Sequence, residues 1–190
     1  MVYFSIMEYP LYAEKLNHYL SLLTIVGGVS VIIFAAYVVY VAYSTNKQNS
    51  LILLVSTYVL QLSYVTALVG VTMSLFYSEV VHYVPCDLCW YQRIFLYPQV
   101  FLFAYAWYKK DRNVLPYAIV LSVVGFIIAA YHHMLQIGFD LMKPCSSALF
   151  AVDCAKPTFI EYGFVTFPLM SAVLFGTLLV IAFVGVKFKK

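Results

Sequence analysis

Five stretches of this chain are each long and apolar enough to cross a bilayer: residues 22–43, 51–76, 89–108, 114–135 and 164–186. A helix rises 1.5 Å per residue, so about 20 residues cover roughly 30 Å of hydrocarbon. Backbone polar groups inside lipid must be paired within the segment, which makes these stretches helices. Only 10% of the residues are charged and 64% are hydrophobic, against about 25% charged in an ordinary soluble domain. A soluble globular domain is excluded. The expected fold is an all-α integral membrane protein, a four-helix transmembrane bundle with one additional N-terminal transmembrane helix at 22–43. The spans leave room for a single membrane domain over 1–190, with 1–21 expected as an outer interfacial segment.

The net charge of +3 is a topology signal and not a nucleic-acid signal. Lys47, Lys109, Lys110, Arg112, Lys187, Lys189 and Lys190 fall on one side of a five-span arrangement, and Lys15, Arg93, Lys143 and Lys156 fall on the other. Cytoplasmic loops carry the Lys and Arg excess, so the N-terminus is expected outside and the C-terminus in the cytoplasm. The protein is therefore expected in the cell (plasma or inner) membrane. All four cysteines would lie at its outer face, where disulfides persist. The first 21 residues lack the basic start of a signal peptide, so the first span is expected to be retained.

The chemistry is concentrated in Pro85-Cys86-Asp87-Leu88-Cys89-Trp90-Tyr91-Gln92-Arg93. Proline disfavours helix at the residue before it, so Cys86 is expected outside the regular helix. The third span would be too short without Cys89, which places Cys89 at the helix start, near the headgroups. Backbone N–H groups and the helix dipole favour a thiolate there. Arg93 is four residues on, hence on the same face and about 6 Å deeper. An ionisable residue just inside the membrane is a functional candidate by default. Arg93 can stabilise the thiolate or hydrogen-bond an apolar acceptor carrying carbonyl oxygens, although snorkelling to lipid phosphates is the plain alternative.

A second pair, Cys145 and Cys154, lies in the loop between the last two spans. Exchange through mixed disulfides would link it to the first pair. Four thiols hold at most two disulfides, so turnover needs an acceptor that leaves with electrons; a quinone fits. Three other readings remain open: a zinc site on the four cysteines, a static Cys145–Cys154 staple, and a non-catalytic membrane protein. His132 and His133 read as interfacial histidines with ordinary hydrogen bonds. His82, four residues before Cys86, is a minor candidate for its base. Asp153 would raise the pKa of Cys154, which favours Cys145 as the exchanging thiol.

The stretch from Val84 to Pro98, with its CxxCxxQR core, closely resembles the DsbB family of disulfide-bond formation proteins, most of all its BdbC-like branch. The likeness continues in Tyr131-His132, in the loop cysteine pair and in residues 162–168, and covers roughly 51–186. It implies a quinone-dependent thiol oxidase that reoxidises a DsbA-like thioredoxin-fold partner. By motif position, Cys86 and Cys89 would be the quinone-side pair, with Cys89 and Arg93 at the quinone (ubiquinone or menaquinone). Cys145 and Cys154 would face the partner, and no metal is implied. Members usually have four spans, so the helix at 22–43 is a departure. The eight residues between Cys145 and Cys154 are another, and imply a less mobile relay loop. The runner-up reading is a vitamin K epoxide reductase-like quinone/thiol oxidoreductase, which also couples a CxxC and loop cysteines to a quinone, but whose CxxC comes late in the bundle and lacks this CxxCxxQR arrangement.

Overall fold

The computed structural model describes residues 9–43, 50–139 and 153–188, with side chains from Ala13 onward. Six α-helices run in order: α1 (Tyr9–Tyr43), α2 (Ser50–Thr57), α3 (Val59–Leu75), α4 (Asp87–Lys109), α5 (Leu115–Gln136) and α6 (Phe167–Lys187). Among the described residues the only β pairing is one isolated bridge, Glu161 with Val165. Four helical segments are long and apolar enough to cross a membrane: Ala13–Tyr43, Val59–Val80, Arg112–Gln136 and Phe167–Lys187. The helix expected at 89–108 is present as α4, at 23 residues. It carries Gln92, Arg93, Gln99 and several tyrosines, and is not among those four.

Three boundaries differ from the sequence reading. The segment 1–21 is not a separate interfacial element over its described part, because α1 runs unbroken from Tyr9. Apolar and polar residues alternate too loosely there to stop a helix that has no proline or capping glycine after Pro10. The span expected at 51–76 is α2 and α3, divided at Tyr58 (φ −100°, ψ 19°) but bridged by Tyr58 N–H to Leu54 O and Leu62 N–H to Tyr58 O. It ends in a π-turn, Phe76–Val80. Finally, α4 begins at Asp87, two residues before Cys89, with Cys86 as its extended N-cap. It ends at Lys110 in the left-handed region, where Asp111 N–H reaches back to Ala106 O, a Schellman-type stop.

The core is built along one face of each helix. On α5 the buried residues Leu115, Ala118, Ser122, Gly125, Ala129 and His132 recur every three or four positions. On α6 the matching face carries Pro168, Ala172, Phe175, Leu178, Ala182 and Gly185. Small residues let the backbones close in, which in lipid is the main source of helix association. A methyl group on Gly125 would run into the ring of fully buried Phe175, and one on Gly185 would lie 2.6 Å from Val59 Cγ2. Gly28 of α1 is a third close approach, where a Cβ would lie 3.3 Å from Val173 of α6.

A stability prediction follows from this contrast. Gly125→Ala is expected to lower the melting temperature in detergent, by an overpacking cost of about 1–3 kcal/mol. Gly176→Ala, whose new methyl would meet nothing closer than 3.8 Å, is expected to melt like the parent. Equal melting of both variants would show that the α5–α6 seam has slack.

Candidate functional site

The structure brings the CxxC pair, one loop cysteine, a histidine and an apolar cavity to the same end of the bundle. Cys86 and Cys89 are both free thiols, with their sulfurs 3.3 Å apart. One turn of helix joins them, since Trp90 N–H bonds Cys86 O to open α4. Cys154 is disulfide-bonded. It packs in one buried cluster with Cys86, Leu88 and Leu135, against Cys89 and Tyr131. Cys145 lies outside the described residues.

His132 is the residue the sequence reading undervalued. It is completely buried, and its Nε2 lies 3.7 Å from Cys86 Sγ and 3.2 Å from the carbonyl of Cys154. The Gln92 amide donates to Nδ1 at 3.0 Å. With Nδ1 accepting, the ring proton sits on Nε2, where it points to the Cys154 carbonyl and the Cys86 sulfur. The Gln136 amide nitrogen lies 3.2 Å from the same Nε2, and with the ring proton there it donates to the Cys154 carbonyl, 3.4 Å away. The signal was present in the 3–4 spacing of Ser122, Gly125, Ala129 and His132, which puts His132 on the buried face of α5. His133 points elsewhere, to the Thr166 hydroxyl at 3.0 Å. The histidine beside Cys86 is thus His132, whereas His82 sits in the preceding loop at φ 60°.

The electrostatics divide the two thiols. Cys86 is held well below the ordinary thiol range, first by the hydrogen bond from the Cys89 thiol and then by His132, against the upward push of burial. The sequence reading put the favoured thiolate on Cys89. The groups that favour an anion surround Cys86 instead, because the helix starts earlier and the N-cap is Cys86 itself. Cys86, Cys89 and His132 also bring three metal-ligating atoms within 4.8 Å of one another. A four-cysteine zinc site, however, would need the Cys154 thiolate, which is committed to a disulfide here.

Cys89 touches that cluster and reaches a second space as well. It lines an apolar cavity of about 520 Å³ together with Gln92, Arg93, Ser74 and Tyr77. Arg93 does not snorkel: its Nη2 donates to the Ser74 carbonyl at 3.2 Å, and its guanidinium lies 5.0 Å from the centre of the Trp90 ring. Tyr97 O–H donates to the Ser74 hydroxyl. Ser74 is just ahead of the π-turn, a local widening that often marks functional sites in helices. The cavity therefore offers a sulfur and a partly engaged cation at the edge of an otherwise greasy space. That is a place for a planar, apolar molecule bearing carbonyl oxygens.

Comparison with known proteins finds relatives of most of the chain. The family model described as disulfide bond formation protein DsbB matches residues 55–185. The chain is 45% identical over 107 residues to the SPbeta prophage-derived disulfide bond formation protein B of Bacillus subtilis, covering 56% of this chain and 71% of the relative. It is 36% identical over 115 residues to disulfide bond formation protein C of the same organism, covering 60% and 81%. A probable disulfide formation protein of Oceanobacillus iheyensis is 36% identical over 134 residues, covering 69% and 85%. No solved structure matches.

Proposed function

The chain belongs to the DsbB family of disulfide bond formation proteins, and on that premise we propose that it is a quinone-dependent thiol oxidase serving a DsbA-like thioredoxin-fold partner. Family and helices together make it a multi-pass membrane thiol oxidoreductase. The single observation that carries the finer reading is the placing of the CxxC pair: both cysteines pack at Cys154, and of the two only Cys89 also lines the cavity beside Arg93. A redox relay needs a sulfur within reach of each side. In this reading α4 is the fifth crossing, tolerated with its glutamines because they pair inside the bundle: Ser122 O–H donates to Gln99 Oε1 at 3.1 Å. The N-terminus lies outside, the C-terminus is cytoplasmic, and both cysteine pairs face the outer side of the cell membrane. Residues 51–186 form the redox core of one membrane domain.

The relay runs by thiol–disulfide exchange. A partner thiolate attacks the Cys145–Cys154 disulfide, and the second partner thiol completes the exchange. The partner leaves oxidised and the loop pair is a dithiol. The Cys154 thiolate then attacks Cys86 of an oxidised Cys86–Cys89 pair, forming a Cys154–Cys86 bond and releasing Cys89 as thiolate. Cys145 attacks Cys154, which restores the loop disulfide and frees Cys86 as thiolate. His132 holds that anion through Nε2–H, and the sulfur contact lets charge pass between Cys86 and Cys89. Free Cys86 and Cys89 beside a disulfide-bonded Cys154 match the moment just before electrons leave. A quinone in the cavity would accept two electrons from the pair, one proton from the Cys89 thiol and one from the aqueous side, and depart as quinol, with the Cys86–Cys89 disulfide re-formed. DsbA-type partners are strong oxidants, near about −120 mV, so the sink must lie higher still.

The test is a reconstituted assay that follows quinone reduction by a reduced DsbA-like protein. Arg93→Ala is expected to raise the quinone KM roughly tenfold, the worth of one charged hydrogen bond. Single-turnover oxidation of the partner should be unchanged, because Arg93 lines the acceptor cavity and bonds the Ser74 carbonyl. A slowed partner step with normal quinone KM would assign Arg93 to the wrong half of the relay. Zinc bound in stoichiometric amount with Cys86 and Cys89 blocked to alkylation would instead favour a metal protein.

A further inference from the structure

The family match begins at residue 55, so α1 lies outside it, and yet Leu20, Leu23 and Thr24 of α1 line the cavity that holds Cys89 and Arg93. We propose that α1 is a wall of the acceptor site and that Leu20 and Thr24 are specificity-determining residues for a lipid-soluble quinone. The proposal rests on the acceptor reading above and goes beyond it by giving the added helix a part in binding.

The helix is anchored as a wall must be. Asn17 is only 5% exposed, and its Oδ1 accepts a hydrogen bond of 2.6 Å from Tyr77 O–H, a residue that itself lines the cavity. One turn on, Ser21 is fully buried, and its hydroxyl has no hydrogen-bond partner among the described residues. Thr24 turns its hydroxyl proton to the Leu20 carbonyl at 2.7 Å, which leaves its methyl and oxygen lone pairs for a neighbour. Asn17, Ser21, Thr24 and Gly28 are spaced by four, three and four residues, so they share one face. A helix serving only as a lipid anchor has no use for buried polar groups on its inner face, since each costs free energy unless paired. Gly28 brings that same face against Val173 of α6.

A second tie holds the outer end. The His18 ring centre lies 5.5 Å from that of Tyr162, and His18 Nδ1 is 3.8 Å from Glu161 Oε2. Both partners belong to the segment leading into α6. The helix is therefore fixed at Tyr77 and near Tyr162, on elements that flank the cavity. Leu20 and the Thr24 methyl then supply apolar surface, while α4 supplies the sulfur and the guanidinium. Closing the site with an extra helix narrows what fits, and bulk added on α1 should tell directly on the acceptor.

Thr24→Trp and Leu20→Trp, in the full-length protein reconstituted in liposomes, are expected to raise the quinone KM at least about fivefold. Single-turnover oxidation of a reduced DsbA-like protein should stay at the parental rate. Ile32→Trp, on a position 71% exposed to the lipid side, serves as control and should leave both unchanged. Photolabelling of the unmodified protein with an azidoquinone avoids any folding defect, and label is expected in the peptide spanning residues 13–30, displaced by excess native quinone. Parental KM in both tryptophan variants, with label confined to α3, α4 and α6, overturns the proposal while leaving the oxidase reading intact. An unmodified protein that reduces no quinone at all overturns the acceptor reading itself.

Discussion

Cys89→Ser is expected to abolish quinone reduction, by at least about a thousandfold, while still oxidising close to one equivalent of reduced partner per protein before stopping. The loop pair carrying Cys154 remains able to exchange once. Cys86 alone cannot form the disulfide whose closure expels two electrons toward the cavity, and a serine hydroxyl does not replace a thiol in exchange. The loss should be non-additive with Cys86→Ser, since the two sulfurs, 3.3 Å apart, act as one two-electron unit. Stopped-flow quinone absorbance reads the first part, and a non-reducing gel of the partner reads the single equivalent. Sustained turnover in Cys89→Ser would remove the CxxC pair from the electron path. Cys145→Ser is expected to be silent in partner oxidation too, which separates the two halves of the relay.

The second large effect is expected at His132. His132→Leu keeps much of the volume but removes the Nε2–H that faces Cys86 and the acceptor of the Gln92 amide. A buried amide left without a partner costs about 1–3 kcal/mol, so melting should fall. The chemical effect is separable from this loss. His132 is one of the groups that hold the Cys86 thiol below its ordinary range. Without it, the thiol pKa rises and the thiolate fraction at any given pH falls. Turnover at and below about pH 4 should then drop roughly 10- to 100-fold, the size of one to two pKa units, and recover as pH is raised toward neutral. His132→Gln, which can still present an N–H, should move the acid limb of the pH profile part of the way back. An unchanged pH profile in His132→Leu would make the residue a packing element only.

The two predictions differ in where their warrant lies. Cys89 could be named from a string of letters, since CxxC ahead of an arginine at helical spacing is local chemistry. His132 could not, although its place in the 3–4 register of α5 was legible. The register by itself did not say which face would be buried. In a soluble helix the apolar stripe gives this away. In α5 and α6 lipid-facing and protein-facing positions are equally greasy, so composition gives no preferred side. The same degeneracy hid the position of α1. Asn17 and Ser21 are polar residues within an aromatic stretch, and they read as an interfacial segment until Tyr77 is seen to cover Asn17.

By itself, then, the sequence determined much of what depends on near neighbours along the chain: the membrane class, four of the five expected spans as long apolar helices, and the placement of Cys86 just outside a helix and Cys89 within its first turn. These follow from residue hydropathy, proline geometry and the helical rise. Tertiary structure alone decided that His132 meets Cys86, that the CxxC pair packs at Cys154 while Cys89 also lines the cavity, and that α1 closes that cavity. Each joins residues from different helices, and helices in lipid choose their contacts by small residues and buried hydrogen bonds, whose partners lie far away in the sequence.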